Sequence, residues 1–109
     1  MEIRENLKNI RKTAKLDEQL NEKIDKLHSR LTHFSDERIS LNIEMEKFMH
    51  DQTYKTRLSL SLSPKILHAE EAHVDLESSV NDAFEALIRQ VAKLKGKLSK
   101  GRNPHHKTR

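Results

Sequence analysis

The sequence predicts an α+β domain in which two helices cover a sheet. Three observations predict it: an apolar stripe at helical spacing between residues 17 and 34, two runs of strict apolar–polar alternation between residues 39 and 63, and a longer helical stripe from Leu76 to Leu98. The 109 residues suit one domain. Hydrophobic residues make up 34% and charged residues 35%, so the core has to be thin. A lone helix pair buries too little surface for stability, whereas two helices on a sheet bury enough for a marginally stable fold.

In the first helix Leu20, Ile24, Leu27, Leu31 and Phe34 recur every three or four residues and share one face. Asp17 suits the N-cap, where a carboxylate accepts from a free backbone N–H, and the helix is expected to stop near Ser35-Asp36. The period then drops to two. Ile39, Leu41, Ile43 and Met45 alternate with Ser40, Asn42, Glu44 and Glu46, which reads as a half-buried strand. Residues Lys47 to Lys55 read as its hairpin connection. Leu58, Leu60 and Leu62 alternate with Arg57, Ser59, Ser61 and Ser63 in a second strand, which Pro64 should end because proline has no N–H to donate. A third, weaker strand is read over Lys65 to about Glu71.

The second helix is the strongest element. Leu76, Val80, Phe84, Leu87, Val91, Leu94 and Leu98 form its stripe, and Asp75 is its N-cap. Gly96 weakens its last turns by up to about 1 kcal/mol relative to alanine, and Gly101 and Pro104 are expected to end it. Residues 1–100 then form the domain and residues 101–109 a flexible basic tail. The first 16 residues read two ways: Ile3, Leu7, Ile10 and Ala14 have helical spacing, and a short strand over Met1 to Leu7 fits as well.

Composition removes several function classes. There is no cysteine, hence no disulfide, thiolate metal site or cysteine nucleophile. No apolar run approaches the roughly 20 residues that span a bilayer, and Met1 to Ile10 is too charged for a signal peptide. A soluble, cytoplasmic protein is expected. With only Gly96 and Gly101, no glycine-rich phosphate loop exists. Ser59, Ser61 and Ser63 lie on the wet face of a strand, and Glu70, Glu71 and Asp75 read as loop charge and helix cap, so no catalytic residue is assigned. Among the histidines, His28, His33, His50, His68 and His73 have no partner at helical i, i+4 spacing, and His105 and His106 are adjacent in the tail; no metal or cofactor is expected. Aromatic side chains are scarce. Phe34 and Phe84 read as core and Phe48 and Tyr54 as hairpin packing, which disfavours base-stacking recognition of single-stranded RNA.

Charge is the informative feature. Arg89 to Arg109 holds eight Lys and Arg and no acid, whereas residues 1–88 hold 13 basic against 17 acidic residues. A polyanion meets one positive end on a mildly acidic body. At 100° per residue from Leu87, Arg89, Lys93, Lys97 and Lys100 fall at about 200°, 240°, 280° and 220°, a single stripe away from the core face. Measured from Leu20, Lys23, Lys26 and Arg30 fall at about 300°, 240° and 280°, a second stripe. Helices packed side by side are expected to set these stripes along a positive groove that phosphate backbones reward through counterion release. Lys95 and Arg102 add charge at the same end. The bland alternative is that lysine and arginine simply occupy solvent faces.

Residues Val74 to Val91, and above all Leu87-Ile88-Arg89-Gln90-Val91 followed by Lys93, Lys95 and Lys97, resemble the second helix of the ribosome hibernation-promoting factor family, which includes the ribosome-associated inhibitor proteins. The Asp17–Phe34 helix, the Asp36-Glu37-Arg38-Ile39 step and the alternating strands fall in the family's order, so the resemblance spans about residues 15–98. Asn81 stands where the family usually has aspartate, and Ala86 where it usually has lysine. The chain looks like a short form, without the C-terminal dimerisation domain of the long members.

The resemblance implies the order β-α-β-β-β-α, with both helices on one face of a four-stranded sheet, similar to double-stranded RNA-binding domains. Its first strand should lie within residues 1–10. The resemblance also implies a non-enzymatic factor, monomeric when free, that binds ribosomal RNA of the small subunit in the messenger and transfer RNA channel, blocks translation and protects idle ribosomes. Neither DNA nor a membrane is an expected partner. The RNA-binding candidates are Lys23, Lys26, Arg30, Arg89, Lys93, Lys95, Lys97, Lys100 and Arg102. Two alternatives use the same helices: a protein–protein adaptor and a free double-stranded RNA binder.

Overall fold

A computed structural model describes the backbone of residues 1–102 and the side chains of residues 1–97. The elements are β1 (Glu2–Lys8), α1 (Ala14–Ser29), β2 (Ser40–Phe48), β3 (Thr53–Ser61), β4 (Ile66–His73) and α2 (Leu76–Arg102). The fold is therefore α+β in the order β-α-β-β-β-α. The strands lie side by side in sequence order, β1 parallel to β2 and the other neighbours antiparallel. Register places Ile3 opposite Leu41, Ile43 opposite Leu58, and Leu58 opposite Ala69.

One parity of the strands faces the helices. Leu41, Ile43, Met45, Leu58, Leu60 and Ala69 are buried with Leu16, Leu20, Ile24 and Leu27 of α1 and Val80, Phe84, Leu87 and Val91 of α2 in one core. Both helices thus cover the same sheet face, each through its apolar stripe. The buried hydroxyls of Thr56 and Ser79 meet at 2.8 Å inside this layer, and Ser79 Oγ also donates to the Leu76 carbonyl.

The other sheet face is polar and compensates its own charge. Arg57 reaches Glu44 at 3.1 Å and Glu70 at 3.0 Å, and Lys55 reaches Glu70 at 3.1 Å. The hydrogen bond from Arg57 holds the Glu70 carboxyl below its ordinary value, and Glu70 in turn raises Arg57.

Several boundaries differ from the sequence reading. The first ten residues contain a strand, as the resemblance implies, and not a helix. Thr13, not Asp17, caps α1: its Oγ1 accepts from the Leu16 N–H at 3.1 Å, and Leu16 extends the buried stripe by one position. Asp17 sits instead in the first turn, 3.1 Å from Lys12. The helix also stops early, with Arg30 as C-cap. Leu31 and Phe34 keep helical spacing because Leu31 N–H donates to His28 and Phe34 N–H to Leu31, three-residue turns that continue the rotation after the α-helix ends.

The hairpin loop shrinks to residues 49–52, with Gln52 at φ 58°. Its predicted loop residues are strand because charged and aromatic side chains pair across the ladder. Lys47 Nζ lies 5.5 Å from the Tyr54 ring centroid and Lys55 Nζ 5.2 Å from that of Phe48. Pro64 follows the end of β3, as proline should. At the other end of the chain, α2 passes through Gly96 and Gly101 to Arg102, so Gly101 does not end it; glycine costs a helix about 1 kcal/mol but does not forbid it. The expected tail beyond residue 102 lies outside the described residues.

Candidate nucleic-acid interface

The helices run side by side and in the same direction. Gln19 Nε2 donates to the Glu77 carbonyl at 3.0 Å, Lys23 Nζ to Asn81 Oδ1, and Lys95 Nζ to the Arg30 carbonyl at 3.1 Å. Successive α1 residues thus meet successive α2 residues, and both C-termini lie at one end of the molecule, with Lys26, Arg30, Lys95 and Lys97 near them. Each helix C-terminus carries negative partial charge, which favours cations there.

The α1 stripe lies on the flank of α1 that faces α2. Gln19 and Lys23 lie on the α1 flank that faces α2, and Lys26 and Arg30 follow along that flank at helical spacing, both exposed. The α2 stripe lies away from the core, as expected, but does not border the same groove. The α2 residues that meet α1 are Glu77, Asn81 and Lys95, at about 80° to 120° from Leu87. Arg89, Lys93 and Lys97, at about 200° to 280°, occupy the opposite flank. There Gln90 donates to the His68 carbonyl of β4 at 2.5 Å, and Lys93 and Lys97 border a shallow groove with Lys65, Leu67 and Leu94.

The cations therefore form two tracts separated by the α2 ridge. One is Lys23, Lys26, Arg30 and Lys95 along the inter-helix groove. The other is Arg89, Lys93 and Lys97, joined by Lys65, which the sequence reading did not select. Only the fold could reveal Lys65, because it follows Pro64 in a stretch with no periodic charge. Lys100 and Arg102 lie on the helical backbone beyond the described side chains.

These tracts differ from the sheet face in one decisive respect. Among the described residues, Lys23, Lys26, Arg30, Lys65, Arg89, Lys93, Lys95 and Lys97 form no ion pair with a carboxylate, while Lys12, Lys55 and Arg57 do. The carboxylate pairs of Lys12, Lys55 and Arg57 lie on the outer sheet face and near the start of α1. Phe48 and Tyr54 hold lysines near their rings, which leaves them poorly suited to stacking a base.

A second cluster was not legible in the sequence. Glu71 and His73 on β4 and Asp82 on α2 bring three potential ligand atoms within 4.8 Å of one another. It lies near the N-terminal half of α2, away from the cationic end.

The comparisons agree with the fold. The crystal structure of the Thermus thermophilus Protein Y N-terminal domain superposes with a TM-score of 0.68 at 17% identity, covering 86% of this chain and 99% of that one. A ribosomal subunit interface protein from Coxiella burnetii superposes with a TM-score of 0.63 at 15% identity, covering 88% and 99%. The family profile described as Sigma 54 modulation protein / S30EA ribosomal protein matches residues 3–99. The match takes in the first strand as well as the segment whose resemblance is legible by eye, and the chain belongs to this family.

Proposed function

We propose that this protein is a non-enzymatic, cytoplasmic ribosome hibernation factor. It binds the small ribosomal subunit as a monomer through ribosomal RNA phosphates, occupies the messenger and transfer RNA channel, and thereby blocks translation and protects idle ribosomes. The observation that carries the reading is the gathering of cations along the helices: Lys23, Lys26, Arg30, Lys65, Arg89, Lys93, Lys95 and Lys97 have no carboxylate partner among the described residues, whereas the other cations without one, Lys8, Arg11, Lys15, Arg38 and Lys47, are scattered elsewhere. Family membership and the likeness to a ribosomal subunit interface protein support the same partner. A steric plug needs affinity and shape but no reactive group. Phosphate contacts position such a protein without base readout.

The test is co-sedimentation of the protein with small subunits at about 100 and about 500 mM salt, where counterion release makes affinity fall steeply with salt. Saturable binding that salt weakens and transfer RNA displaces is expected. The triple substitution Arg89→Glu, Lys93→Glu and Lys97→Glu should abolish it while leaving the circular dichroism spectrum unchanged. Undiminished binding of a folded triple variant overturns the proposed interface.

A further inference from the structure

We propose that Glu71, His73 and Asp82 form a binding site for a divalent transition-metal ion that staples the end of β4 to the second turn of α2. Residues 71 and 73 are two apart on a strand, so both side chains project to the helix-facing side. Asp82 meets them from α2. The three donor atoms, one imidazole nitrogen and two carboxylate oxygens, already lie within 4.8 Å of one another. An ion bound at about 2.1 Å needs donors roughly 3.0–3.5 Å apart, a gap that small rotamer shifts close.

His73 supplies a further observation. Its Nε2 is shielded from solvent and makes no aligned hydrogen bond, although Asp82 Oδ2 is only 2.8 Å away. An imidazole nitrogen and a carboxylate oxygen so close, without a directed N–H···O bond, suit a cation shared between them. Lys23 is the nearby cation that borders the same groove, and its ammonium is engaged by Asn81. One nitrogen and two oxygens with open positions for water suit zinc, nickel, cobalt or manganese. The site goes beyond ribosome binding and does not depend on it.

Isothermal titration of the full chain with zinc chloride, without chelator, tests the proposal. Because His105 and His106 offer a competing pair, the reference protein carries His105→Gln and His106→Gln. One equivalent of zinc is expected to bind it. His73→Gln in that background should weaken binding about tenfold or more, and Glu71→Gln and Asp82→Asn should each weaken it as well. Zinc should also raise the thermal midpoint of the reference protein and not that of the Asp82→Asn variant. Absence of binding to the reference protein, or equal binding by the Glu71→Gln and Asp82→Asn variants, reduces the cluster to an ordinary His–Asp ion pair and overturns the site. Should His73→Gln fail to fold, those two variants decide the matter.

Discussion

Lys95 donates a hydrogen bond to the Arg30 carbonyl at 3.1 Å, so a cation of α2 closes the C-terminus of α1. Arg30 is the C-cap of that helix, and its carbonyl has no partner within the helix. Lys95 satisfies it and places positive charge at the negative end of the helix dipole.

Replacing Lys95 with Gln keeps a donor but removes the charge. We expect a loss of about 0.3–1 kcal/mol in stability, read by urea unfolding. The slope of log affinity against log salt for RNA should fall by about one. An unchanged salt slope means that Lys95 is committed to Arg30 and touches no phosphate.

The hydroxyl pair Thr56–Ser79 predicts an asymmetric outcome. Ser79 has two partners, Thr56 and the Leu76 carbonyl, while among the described residues the Thr56 hydroxyl has only Ser79. Ser79→Ala leaves a buried hydroxyl orphaned and should cost about 1–3 kcal/mol. Thr56→Val should cost less, because Ser79 retains Leu76, and the double variant should cost less than the sum. Equal and additive losses in denaturant midpoints contradict this account of the pair.

Gly96 offers a stabilising change. It is exposed on α2, and a Cβ built on it meets nothing within 4 Å. Gly96→Ala should raise stability by up to about 1 kcal/mol with ribosome binding unchanged. A lower thermal midpoint, or a loss of binding, means that the bound state needs the freedom of that turn.

Acid should destabilise the fold through lowered carboxyls. The Met1 amino group, first, and His28 hold Asp36 below its ordinary value, with the amine at 2.6 Å; Arg57 and Lys55 do the same for Glu70. A carboxyl depressed in the folded state contributes stability above its unfolded pKa and loses it as pH falls through the folded one. The urea midpoint should therefore drop as pH falls below about 4, and the Asp36→Asn, Glu70→Gln double variant should show a shallower decline. An identical decline in the variant assigns acid sensitivity to other groups.

The elements themselves were legible because apolar spacing of 3.6 or 2 follows directly from which face is buried. Leu76 to Leu94 and Ile39 to Met45 show this well. The ends were less legible. By residue type Asp17 is the better cap, and Thr13 takes the position because Leu16 is buried and the helix starts a turn earlier. The ends of the β2–β3 hairpin were hidden because Lys47, Tyr54 and Lys55 pair by charge and ring contact, with no apolar alternation to mark them.

By itself the sequence determined the fold class, the helix stripes, the polarisation of charge toward the C-terminus and the absence of thiol chemistry, since each depends only on residue type and local spacing. The tertiary structure decided what faces what. A helical wheel gives each stripe an angle relative to its own core, but the rotation of one helix against the other depends on how both stripes seat on the sheet. That seating sent Arg89, Lys93 and Lys97 to the β4 flank, turned Lys95 toward α1, and brought Glu71 and His73 to Asp82.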